Sequence, residues 1–131
     1  MTAETSGSTS DTLSGQRVLL VEDDYCIADE MRRILSSRGA EILGPVATVE
    51  RALALLASNP AIDAAVLDVN LRDVMVFPVA DALTTRGVPY IFATGYDGAV
   101  IPARYAHVQR CEKPVESRAL VRALSAEVSP H

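Results

Sequence analysis

The feature that most constrains this chain is a set of short, almost unbroken apolar runs, each ending at a polar residue. Arg17-Val-Leu-Leu-Val21 runs into Glu22-Asp23-Asp24, Ile62 to Leu67 runs into Asp68, and Val88 to Ala93 runs into Thr94-Gly95. A strand with one wet face alternates polar and apolar side chains. A short continuous apolar run instead fits a strand buried on both faces, as in the middle of a parallel sheet.

Between these runs the period changes. From Cys26 to Arg38, Ile27, Met31, Ile34 and Leu35 recur at three-to-four spacing among Asp29, Glu30, Arg32 and Arg33, and Gly39 follows. That is an amphipathic helix with a glycine stop. Thr48 to Ser58 predicts a second helix, with Thr48 as N-cap and Val49, Ala52, Leu53 and Leu56 facing inward. Pro78 to Arg86 predicts a third, with proline in its first turn and Gly87 past its end, and Val115 to Val128 a last one. Glu41 to Val46 is the second strand; Pro45 has no amide to donate to a ladder, so this strand belongs at an edge. Val108 to Glu112 is the fifth strand. Asp97 to Tyr105 is weakly patterned and contains Pro102, so the fourth helix is expected to be short or disordered. The alternation predicts an α/β fold: a doubly wound (βα)5 parallel sheet in a three-layer sandwich, with right-handed crossovers.

The 131 residues, 49% of them hydrophobic, suffice for one core. Residues 1–14 are nearly all Ser, Thr, Gly, Ala and acidic residues, a composition that predicts a disordered tail ahead of a single domain at 15–131. A net charge of −5 leaves no basic face for nucleic acid. With no long apolar run and no basic-then-apolar leader, neither membrane insertion nor export is indicated, and the expected location is cytoplasmic. Cys26 and Cys111 lack metal-binding or redox spacing and are expected to be reduced, partly buried thiols.

In a doubly wound sheet, ligands bind at the carboxyl ends of the strands. Those ends carry Glu22-Asp23-Asp24, Asp68-Val69-Asn70, Thr94-Gly95 and Lys113-Pro114. Crowded carboxylates repel one another unless a cation neutralises them, and an oxygen-rich set without histidine or thiolate suits Mg²⁺ rather than zinc. Asp24 is better placed as a helix-start acid than as a metal ligand.

An acidic pair after the first strand, Asp68 after the third, Thr94 after the fourth and Lys113-Pro114 after the fifth together resemble the CheY-like receiver domains of bacterial response regulators. The resemblance spans about Arg17 to Val128. Pro89-Tyr-Ile-Phe-Ala-Thr-Gly-Tyr96 is similar to the Phe-Ala-Thr-Gly-Tyr signature of a subgroup of stand-alone, single-domain receivers. The resemblance implies a flavodoxin-like, CheY-like sandwich with sheet order 2-1-3-4-5. It implies that Asp68 accepts a phosphoryl group from a histidine kinase or histidine phosphotransfer protein. Glu22, Asp23, Asp68 and the backbone carbonyl of Asn70 would hold Mg²⁺, while Lys113 and Thr94 would contact the phosphoryl group. A cis Lys113-Pro114 bond is also implied. Such a chain is a monomer or weak dimer that signals to a protein partner, and is not an enzyme in the ordinary sense.

Two departures stand out. The family's aromatic residue three positions before the lysine is replaced by Arg110, and the loop from Asn70 to Pro78 lacks the subgroup's glycine. One expectation is that Asp97 to Tyr105 becomes ordered on phosphorylation in place of the missing aromatic. Two other functions compete with this reading: a receiver that docks without being phosphorylated, and a haloacid-dehalogenase-like phosphohydrolase. The latter needs an acid two positions after its nucleophile, where this chain has Asn70.

Overall fold

Each central strand sends alternate side chains into two separate cores, so the sheet is buried on both faces. A computed structural model describes residues 13–59, 61–95 and 101–128. Strand β1 (Arg17–Val21) points Leu19 and Val21 to one side, and Val18 and Leu20 to the other. Strand β3 (Ala64–Asp68) and strand β6 (Tyr90–Thr94) divide in the same way, with Leu67 and Phe92 on the first side and Val66 and Ile91 on the second. Helices α2 (Val49–Ser58) and α3 (Phe77–Thr85) cover the first face through Ala52, Leu56, Val79 and Leu83. Helices α1 (Tyr25–Ser36) and α4 (Ser117–Val128) cover the second through Met31, Leu35, Leu120 and Leu124. This is the predicted three-layer sandwich.

With β2 (Glu41–Val46) and β7 (Arg110–Glu112), the main sheet runs β2-β1-β3-β6-β7, every pair parallel. The loop after β3 forms a separate antiparallel hairpin, β4 (Asn70–Leu71) and β5 (Val74–Met75). Leaving the hairpin aside, the order is the expected 2-1-3-4-5. The chain leaves β1 for an edge and returns on its other side at β3, so the crevice of this reversal opens where Glu22 follows β1 and Asp68 ends β3.

Local chemistry explains most boundaries. Thr48 caps α2, its hydroxyl accepting the Arg51 N–H at 3.1 Å, and Asp24 caps α1 by accepting the Ile27 N–H at 3.0 Å. Strand β2 is the partly exposed edge that Pro45 predicts, and its pairing with β1 shifts register at Gly44-Pro45, a cis bond. Gly44 has φ +100°, and a Cβ there would lie 2.9 Å from the Leu20 carbonyl oxygen.

Two expectations change. Leu13, assigned to the tail by composition, is fully buried, and its N–H donates to the Arg38 carbonyl at 3.0 Å. Gly39 makes room for this segment, since a Cβ there would lie 2.8 Å from Ser14 Cα. Residues 1–12 lie outside the described residues. Cys111 is buried as expected, whereas Cys26 is exposed on the outer side of α1. Between β6 and β7 the described residues form only a 3₁₀ turn, Ala103–Tyr105, and residues 96–100, Tyr96 and Asp97 among them, lie outside the description.

Candidate functional site

The sheet gathers most of the predicted strand-end residues into one cleft of about 350 Å³, lined by Glu22, Asp23, Asp68, Asn70, Arg72 and Lys113 among others. That volume is at the small end for ligand sites; it suits a phosphoryl group and a hydrated ion better than a large organic substrate.

Glu22 follows β1 directly and is buried, its N–H held by the Val46 carbonyl at 2.9 Å and its Oε2 accepting the Asp24 N–H at 3.1 Å. Asp68, the last residue of β3, is 3% exposed, and its Oδ1 accepts the Asn70 N–H at 3.3 Å. The Lys113 ammonium, arriving from the end of β7, stands 2.7 Å from Glu22 Oε1 and 3.1 Å from Asp68 Oδ2. The Lys113-Pro114 bond is cis, as the resemblance implies. Carboxylate oxygens of Glu22, Asp23 and Asp68 all lie within 4.8 Å of one another.

Three carboxyls and one ammonium leave the group short of positive charge. Burial, reinforced by the Glu22 charge, pushes the Asp68 carboxyl up to about 8 despite the opposing pull of Lys113. Burial also acts to lower the Lys113 pKa, but Glu22 and Asp68 outweigh it and the net shift is upward. Glu22 Oε1, although close to the ammonium, lacks a hydrogen bond of proper angle and is otherwise sealed from solvent. A buried carboxylate oxygen without an aligned donor, facing two more carboxyls, fits a hard divalent cation bound through oxygen.

The other predicted residues take different positions. Asn70 lies on the cleft wall. Thr94 is buried one residue past Ala93, the register partner of Asp68, and its carbonyl accepts the Lys113 N–H at 2.8 Å. Its neighbour Gly95, rather than Thr94, lines the cleft.

Arg72 and Asp73, at the tip of the β4–β5 hairpin, also line the cleft and are missing from the sequence-derived site. Their signal is faint: a two-residue turn between Leu71 and Val74 without the Asn-Gly that normally marks a hairpin.

A second cluster lies outside the cleft lining. Tyr105 is buried, stacked on Phe77 at 4.9 Å and edge-on to Phe92 at 5.8 Å, while its hydroxyl donates to Asp81 and accepts from Arg104. Arg110 is exposed on β7. Tyr105 is thus packed against the core, while residues 97–100 of the segment expected to become ordered on phosphorylation lie outside the described residues.

Comparison with known proteins gives the same picture. The solution structure of SdrG from Sphingomonas melonis Fr1 is 37% identical, covers 85% of this chain and 94% of that chain, and superposes with a TM-score of 0.77. This chain belongs to the response-regulator receiver family. The BeF3-activated conformation of SdrG from Pseudomonas melonis Fr1 is 35% identical over 86% of this receiver and 96% of that chain, with a TM-score of 0.71. A response regulator receiver protein from Burkholderia phymatum is 25% identical over 88% of this receiver and 97% of that chain, with a TM-score of 0.76. No family model and no curated protein matches the sequence. Membership gives the receiver a role in two-component signalling, where such domains act as signalling modules. Among the described residues, no helix is long and apolar enough to cross a membrane.

Proposed function

We propose that this receiver accepts a phosphoryl group on Asp68 from a phosphohistidine donor and passes the signal to a protein partner. The observation that carries the reading is the meeting of Asp68, Glu22, Asp23 and Lys113 in one buried cluster at the crevice between β1 and β3. Glu22, Asp23, Asp68 and the Asn70 carbonyl would hold Mg²⁺, which supplies positive charge to the phosphoryl oxygens. An Asp68 carboxylate oxygen attacks phosphorus, an O–P bond forms, and the N–P bond to the donor histidine breaks. Lys113 keeps its charge through this step and turns from Asp68 toward the phosphoryl oxygens. The Thr94 hydroxyl then donates to the phosphoryl group.

The likeness to a protein with a BeF3-activated conformation supports this chemistry, because that ligand is described as activating its host. We read Phe92-Ala93-Thr94-Gly95-Tyr96 as the mark of the single-domain subgroup, 15–131 as one receiver domain into whose core the preceding Leu13 also packs, and the working location as the cytoplasm. Retention of all the charged site residues argues against a docking domain that is never phosphorylated. Asn70, which has no proton to give as an acid, argues against a phosphohydrolase. The test is transfer of radiolabel from an autophosphorylated histidine kinase: Mg²⁺-dependent labelling, lost with chelator, is expected, and no labelling from several kinases would leave the docking function instead.

A further inference from the structure

The hairpin over the cleft places a cation where the proposed metal site needs to be free of one. Arg72 Nε lies 3.5 Å from Asp23 Oδ2, on a side chain that is 84% exposed. The side chain is exposed, but the backbone that carries it over the cleft is held in place. Leu71 and Val76 are buried in the core, the Val76 N–H donates to the Val69 carbonyl at 3.0 Å, and the Asp73 N–H donates to Asn70 Oδ1 at 2.6 Å. At the tip, Arg72 and Asp73 have φ of 54° and 72°, the left-handed region that favours glycine. The chain thus keeps an arginine where glycine would be less strained, and the arginine stands on the wall of the phosphoacceptor cleft.

We propose that Arg72 is an exchangeable counter-ion and a phosphoryl-donor-binding residue. In the metal-free receiver its guanidinium neutralises Asp23. When that carboxylate turns to a divalent cation, Arg72 leaves it and meets the outer oxygens of the donor's phosphoryl group. A guanidinium suits this second role, since its planar fork can bond two phosphoryl oxygens together. Lys113, engaged deep in the cleft with Glu22 and Asp68, leaves the rim position to Arg72. The inference rests on the reading of Asp23 as a metal-holding carboxylate.

The experiment uses the full chain and its R72N, R72K and D23N variants. Asn accepts the left-handed conformation, so R72N is expected to keep the fold, checked by its melting curve. Mg²⁺ affinity is measured by calorimetric titration at low ionic strength, without any phosphodonor. R72N is expected to bind Mg²⁺ about two- to five-fold more tightly than the parent, the range for losing one exposed ion pair, with R72K near the parent. At saturating Mg²⁺, R72N is expected to raise the KM for acetyl phosphate at least about three-fold and leave the rate at saturating donor unchanged. If D23N weakens Mg²⁺ binding but R72N changes neither Mg²⁺ affinity nor KM, or only one of them, the exchange is overturned while the metal site stands. If the parent itself binds no Mg²⁺, or D23N binds as the parent does, the metal reading fails and the exchange with it.

Discussion

Replacing Asp68 with asparagine is expected to stabilise the metal-free receiver at neutral pH, although it removes the residue on which the proposed function depends. The Asp68 carboxyl is raised from its ordinary value of 3.8 to about 8, first by burial and then by the charge of Glu22. A carboxyl with a raised folded-state pKa binds its proton more tightly in the folded than in the unfolded chain. The resulting stability is fully present below about pH 4 and is lost progressively as pH rises through about 8. From pH 4 to pH 7 the loss has a ceiling of about 4 kcal/mol, at about 1.4 kcal/mol for each pH unit. Sharing of charge with Lys113 and Glu22 and relaxation around the site reduce it, so about 2 kcal/mol is expected. Asparagine keeps the shape and has no charge to bury, so D68N should escape this loss. Urea unfolding in chelator from pH 4 to pH 8 measures it directly. Curves that nearly coincide at pH 4 and separate in favour of D68N toward pH 8 are expected. Saturating Mg²⁺ should narrow the gap by stabilising only the parent. A D68N chain no more stable than the parent at pH 7, or a gap independent of pH, would refute the reasoning.

Other perturbations probe other parts of the account. Lys113→Met strips the ammonium from Glu22 and Asp68 and is expected to cost about 3 kcal/mol in metal-free urea unfolding at pH 7, with acetyl phosphate labelling greatly slowed. Tyr105→Phe removes the hydroxyl shared by Asp81 and Arg104 and should cost about 1 kcal/mol in the same assay while leaving Mg²⁺ affinity unchanged. Gly44→Ala drives a Cβ against the Leu20 carbonyl and is expected to cost about 2 kcal/mol or more, measured by thermal unfolding.

The central strands were legible because burial on both faces writes itself as an unbroken apolar run, as in Val18 to Val21. The acids that close those runs then locate the cleft. Thr48 was legible as a cap, and Asp24 as a helix-start acid, because helix starts favour a side-chain oxygen at a particular position. Leu13 was not, since one apolar residue in a polar segment gains its place only from Gly39 and Arg38, distant in sequence. Arg86, which donates to the Leu56 and Asn59 carbonyls at the end of α2, was hidden for the same reason. Arg72 is not legible because its turn lacks the glycine that left-handed backbone favours. Tyr105 was unrecognised as a packed aromatic because its partners, Phe77, Asp81 and Phe92, come from two other elements.

The most direct test of the central claim is the intact mass of the full chain after incubation with Mg²⁺ and acetyl phosphate, beside the D68N variant. The account predicts a single phosphoryl adduct on the parent that requires Mg²⁺, is removed by hydroxylamine and is absent from D68N. An adduct of equal yield on D68N would contradict it.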